Sequence, residues 1–167
     1  MTAAFFILLA LSALLLAAAI CDLARYTIPN AISLAAACLF LVFAVAAPLS
    51  AGAIGWHLAA GLTGLVLGFG FFAMGWIGGG DAKLFAAMAL WLGFSDLLNY
   101  AALASLFGGA LTLGLLLLRQ LPLPAGLAGQ AWVARLHNAA SGIPYGVALA
   151  AGGFAVLPYT QIFRLAA

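Results

Sequence analysis

Three carboxylates are all the acidic side chains in this 167-residue sequence: Asp22, Asp81 and Asp96. Two of them stand where long apolar runs are interrupted. Asp22 opens the stretch Asp22-Leu23-Ala24-Arg25-Tyr26-Thr27-Ile28-Pro29-Asn30. Asp81 follows Gly78-Gly79-Gly80 and precedes Ala82 and the only lysine, Lys83. A pair of facing carboxylates can activate water. Close like charges do not both ionise easily, so one keeps a proton while the other draws one from water. The water attacks a carbonyl, and the protonated partner supports the oxyanion and the leaving amine. Such a hydrolysis requires no metal and no organic cofactor.

The glycines ahead of Asp81 sharpen this reading. They permit positive φ and let another chain come close, which is the access an extended peptide needs. A phosphate loop is the competing use, but Gly75-x-x-x-x-Gly80 runs into Asp81 where a P-loop has Lys-Ser/Thr. An acidic side chain there repels phosphate. The plainer alternative makes both carboxylates interfacial charges, neutralised by Arg25 and Lys83. A charge at the centre of a membrane helix costs ~2.5–3.5 kcal/mol, and that penalty shrinks at helix ends.

Composition says what must hold these residues. The chain is 68% hydrophobic and 5% charged, against about 25% charged in soluble domains. Eight charges do not cover the surface of a soluble protein of this size. Successive apolar stretches reach the ~20 residues a helix needs to cross a bilayer core. They are continuous and rich in Leu, Ala and Gly, whereas barrel strands alternate apolar and polar. The expected fold class is therefore all-α, a polytopic membrane bundle of about six transmembrane helices forming one domain over residues 1–167. The bases are scattered singly, so the net charge of +2 points to no nucleic acid. Cys21 and Cys38 make no CxxC pattern and no zinc site. They read as small packed residues.

The first span is expected from about Ala3 to Cys21, retained because no basic n-region precedes it. Pro29 excludes helix at Ile28 and opens a second span, about Ala31 to Ala47. An uncharged turn follows at Pro48-Leu49-Ser50-Ala51-Gly52. The third span covers about Ile54 to Ile77 and holds Gly61, Gly64, Gly68 and Gly75, with Gly64-x-x-x-Gly68 at the spacing that lets helices approach closely. His57 reads as an interfacial or packed residue, with no ligand partner at suitable spacing. Lys83 to Leu118 would make a helix of ~54 Å, too long for one crossing. It is expected to break at Gly93-Phe94-Ser95-Asp96, with Ser95 or Asp96 capping the next helix. Leu127 to Leu136 resembles a short interfacial helix with Trp132 and Arg135. The sixth span runs from near Ile143 to about Leu157-Pro158.

With six spans, the loops holding Arg25, Lys83, and Arg119 with Arg135 share one side. Arg164 stands alone on the other. The positive-inside rule makes the first side cytoplasmic and places the N-terminus outside. Asp22 and Asp81 then share the cytoplasmic face, and Asp96 lies opposite.

At this point the chain resembles the type IV prepilin peptidases, membrane aspartic proteases of the GxGD type. Gly78-Gly79-Gly80-Asp81 with Lys83 is similar to that family's second-aspartate motif. Asp22, Arg25 and Ile28-Pro29-Asn30 resemble the first. Ile143-Pro144-Tyr145-Gly146 resembles its C-terminal proline-glycine signature. The resemblance implies Asp22 and Asp81 as catalytic residues, with Gly78, Gly80, Lys83, Arg25, Pro29, Asn30, Pro144 and Gly146 shaping the site. It implies a prepilin or pseudopilin substrate with a basic leader, a glycine and then an apolar helix, cut at the cytoplasmic face of a bacterial inner membrane. Membrane lipid is a further expected partner, and a homo-oligomer is allowed. Larger members carry two CxxC pairs associated with N-methylation. This chain has neither, so it resembles the short peptidase-only members acting on Flp-type pilins, and methylation is not carried over. Archaeal preflagellin peptidases are related, but Ile28-Pro29-Asn30 favours the bacterial type. The rival functions are a small proton-coupled transporter, a structural membrane subunit and a presenilin-like protease. Transport would favour a polar relay through the bundle or an internal repeat, and neither is clear. Presenilin-like chains are longer.

Overall fold

A computed structural model describes residues 3–47 and 49–166. Pro48, expected in the second turn, lies outside the described residues. Among them the regular structure is helical, without strands. The helices are α1 (Ala3–Arg25), α2 (Asn30–Ala46), α3 (Ala51–Ala73), α4 (Gly79–Leu118), α5 (Ala125–Ala128), α6 (Ala131–His137), α7 (Tyr145–Val156) and α8 (Gln161–Ala166). Short 3-10 turns occupy Ala139–Ser141 and Leu157–Tyr159. α1, α3 and α4 are long and apolar enough to cross a membrane, and α2 and α7 are shorter apolar helices. Large apolar side chains face outward, among them Val45, Leu98 and Trp56. A lipid-facing bundle accounts for that surface, whereas water would penalise it.

α1 buries Ala4, Leu8, Leu11, Leu15 and Ala18, a stripe at alternating steps of four and three. The next position in that stripe is Asp22. This corrects the expected end of the first span at Cys21: the helix continues to Arg25, and Asp22 lies on its inward face. Tyr26 stops it by taking a positive φ of 55°, with its N–H bonded to the Asp22 carbonyl at 2.7 Å.

α3 also ends earlier than the hydropathy suggests, at Ala73 instead of Ile77. Gly75 takes φ 74°, a conformation glycine adopts without a Cβ penalty. The Trp76 and Gly75 amides bond back to the carbonyls of Phe71 and Phe72. The Trp76 ring stacks on Phe71 with centroids 5.6 Å apart. This is a Schellman stop with its apolar clasp.

The expected break in α4 falls at Gly93, with φ 64°. Phe85 and Tyr100 stack at 5.6 Å, although a straight helix would hold residues fifteen apart at about 22 Å. The two limbs of α4 therefore run antiparallel. His57 lies against Gly93 and its Nδ1–H donates to the Leu90 carbonyl at 2.9 Å, so it is a packed residue. The expected cap is replaced: the Ser95 hydroxyl donates to the Leu92 carbonyl and to Asp96.

Small residues set the helix contacts. A Cβ on Gly64 would stand 2.6 Å from Ala89 Cβ, and one on Gly68 would stand 3.0 Å from the Ala82 carbonyl. α3 thus lies directly on the first limb of α4. On the other side Trp91 is fully buried, its indole N–H bonded to the Ala36 carbonyl at 2.8 Å and its ring against Phe40 and Phe43. α7 packs on the second limb through Gly152 against Ala104 and Tyr145 against Gly108. The first limb, which carries Asp81 in its first turn, is therefore clamped between neighbours.

Candidate active site

Asp22 is 5% exposed. Its Oδ2 accepts the Gly146 N–H at 2.6 Å. Gly146 lies in the first turn of α7, where backbone amides have no partner within the helix and the helix dipole is positive. Pro144, buried, is the residue before that turn. A Cβ on Gly146 would stand 2.6 Å from Ile28 Cδ1 and 2.9 Å from Asp22 Oδ2. Glycine is required there by close approach.

Asp81 is the third residue of α4, and its Oδ2 accepts the Gly78 N–H at 3.1 Å, capping the helix. Oδ1 is buried and has no hydrogen-bond partner. Asp81 lines an apolar groove of about 350 Å³ with Phe71, Trp76, Phe85 and Tyr145. Gly80 admits the Ile28 backbone: a Cβ there would stand 3.0 Å from Ile28 Cβ and 3.3 Å from Ile28 N.

Ile28 thus touches the glycine preceding Asp81 and the glycine bonded to Asp22. Around it the ends of α1, α4 and α7 converge, and the Asp22 and Asp81 charges act on one another. Asp96 belongs to the reversal at the far end of the first limb. Among the described residues no three His, Cys, Asp or Glu side chains gather to hold a metal ion.

The remaining residues singled out from sequence form the rim. Lys83 is exposed and its Nζ donates to Asn30 Oδ1 at 2.8 Å, so it joins α4 to the start of α2 and is not spent on Asp81. Pro29 is the exposed residue before α2, and Arg25 is exposed at the end of α1. Of the other bases, Arg135 donates to the Ala24 carbonyl at 2.8 Å. Arg119 donates to the carbonyls of Leu136 at 2.8 Å and Gly142 at 2.6 Å. These bonds strap α6 across the end of α1, and the single helix expected over Leu127 to Leu136 is divided at Gly129 and Gln130 into α5 and α6. Beneath the strap, burial pushes the Tyr26 phenol above its ordinary range, against the opposing pull of Arg119.

The groove wall and the wedge escaped sequence reasoning. Ile28 was visible in Ile28-Pro29-Asn30 but only as a neighbour of proline. Phe85 on the groove wall and Tyr100 stacked on it stand in apolar runs without a motif, and Tyr145 appeared only within Ile143-Pro144-Tyr145-Gly146.

Comparison with curated proteins and with solved structures returned no match. The family model described as the type IV leader peptidase family matches residues 9–113, a stretch that contains both Asp22 and Asp81. That match covers more than half of the chain, which therefore belongs to the type IV leader peptidase family, a family of peptidases.

Proposed function

We propose that this chain is an aspartic endopeptidase whose dyad is Asp22 and Asp81. It removes the basic leader of type IV, Flp-like prepilins and pseudopilins, cutting after a glycine at the cytoplasmic face of the bacterial inner membrane. α1, α2, α3, the two limbs of α4 and α7 are the six spans of this reading, with the N-terminus outside. The observation that carries it is the approach of two carboxylates from distant helices around Ile28, one of them on the wall of an apolar groove.

In the resting dyad one carboxyl holds a proton and the other is ionised. The ionised group takes a proton from water, and the water oxygen bonds to the carbonyl carbon of the leader's junction glycine. The protonated group supports the oxyanion. As the C–N bond breaks, a proton passes to the departing amine, and the leader leaves as a carboxylic acid. The groove beside Asp81 offers an apolar wall to the helical part of the substrate, while the leader stays at the polar rim.

The test is reconstitution in lipid vesicles with a prepilin carrying a basic leader and a glycine junction. Mass spectrometry is expected to find a mature chain beginning at the residue after that glycine. An uncut substrate, or cleavage elsewhere, contradicts the assignment.

A further inference from the structure

The second limb of α4 brings one more polar group to the side of Asp81. Tyr100 is fully buried, and its ring stacks on Phe85 with centroids 5.6 Å apart. Phe85 stands one helical turn beyond Asp81 on the same groove wall. Tyr100 and Asp81 lie within electrostatic reach of one another. Each carries a buried oxygen without a hydrogen-bond partner, the Tyr100 hydroxyl and Asp81 Oδ1. Buried polar atoms are nearly always bonded, so two unbonded ones on residues neighbouring the Phe85 ring call for an explanation. Packing does not supply it, because phenylalanine would fill the same space without stranding a hydroxyl. Helix capping does not supply it either, because the cap uses Oδ2.

We propose that Tyr100 is a positioning residue for Asp81, its hydroxyl donating to Oδ1 when that carboxyl ionises and fixing the carboxylate's orientation for the reaction. The role rests on the dyad reading above. The other titratable or charged groups near Asp81 are Asp22 from α1 and Tyr145 from α7. α3 contributes Gly68 and Phe71 to the same wall, and Lys83 is bonded to Asn30.

The chain has only three acidic side chains, which permits a test that needs no substrate. With Asp22→Asn and Asp96→Asn, Asp81 is the sole side-chain carboxyl. Its carbonyl stretch can then be titrated by infrared spectroscopy in vesicles, using isotopically labelled aspartate. Tyr100→Phe is added to that background, keeping the ring and its stack on Phe85. A donor to the charged form favours that form, so its loss is expected to move the Asp81 midpoint upward by about half a pH unit or more. In the otherwise native chain, Tyr100→Phe is expected to lower kcat about tenfold to a hundredfold with KM little changed. An unmoved midpoint overturns the proposal and leaves Tyr100 a packing residue. Because the titration does not depend on cleavage, a failure of this role and a failure of the protease reading are told apart.

Discussion

The Gly146 N–H donates to Asp22 Oδ2 over 2.6 Å, joining residues 124 positions apart in the chain. The contact ties the end of α1 to the start of α7 and leaves no room for a side chain at Gly146. A methyl group there would meet Ile28 Cδ1 at 2.6 Å and Asp22 Oδ2 at 2.9 Å. Both neighbours are buried, so the new atom must displace the carboxylate or the wedge.

Gly146→Ala is therefore expected to reduce cleavage by about a hundredfold, the scale of a small misplacement of a reacting group. Overpacking should also destabilise the fold by about 1–3 kcal/mol. Single-turnover cleavage together with thermal unfolding in micelles separates the two effects. Native turnover by this variant would show that the Asp22–Gly146 contact does not matter.

Gly64 and Gly55 offer a paired test on α3. A Cβ on Gly64 would stand 2.6 Å from Ala89 Cβ, while Gly55 has open space around it. Gly64→Ala is expected to cost about 1–3 kcal/mol by forcing α3 off the limb that carries Asp81. Gly55→Ala should leave stability unchanged or raise it by up to about 1 kcal/mol. Equal effects in denaturant unfolding would contradict the packing described here.

Lys83 bonds to Asn30 and not to Asp81. Lys83→Met should accordingly leave the pH profile of cleavage in place and change stability by no more than about 1 kcal/mol, since both groups are exposed and water can replace the bond. A shift in the acid limb of the profile would restore an electrostatic role for Lys83.

Arg119 closes the strap by donating to the carbonyls of Leu136 and Gly142. Removing those charge-assisted bonds costs about 1.5–3 kcal/mol each by general experience. Arg119→Ala is expected to expose residues 120–142 to faster nicking by an added protease. It should also lower cleavage several-fold, because Gly142 leads directly into Pro144 and Gly146. Unchanged nicking would mean that the strap is held by other contacts.

Much of the site was legible because charges are so scarce. In a chain with three acidic residues, the company of Asp22 and Asp81 carried the information, and helix-breaking glycine and proline marked where they stood. The antiparallel limbs of α4 were legible through length, since no single crossing accommodates 36 apolar-leaning residues from Lys83 to Leu118. What escaped is what only the folded bundle creates. Asp22 looked like the start of a loop, because a carboxylate after an apolar run ordinarily marks an end. It is instead the next position of a buried stripe, satisfied by an amide that arrives from α7. Lys83 stands two residues from Asp81, yet positions two apart on a helix point to opposite sides, and its partner comes from α2. The role proposed for Tyr100 depends on a chain reversal that places it across from Phe85, which no local pattern announces.

The central claim is that Asp22 and Asp81 act together, and asparagine substitution tests it most directly. Asparagine keeps the size of the side chain and removes its acid–base chemistry. In vesicles with a glycine-junction prepilin, Asp22→Asn and Asp81→Asn are each expected to abolish cleavage while the inserted protein stays folded. Asp96→Asn, altered at the far end of the bundle, is expected to cut nearly normally. Full processing by either Asp22→Asn or Asp81→Asn would contradict the dyad.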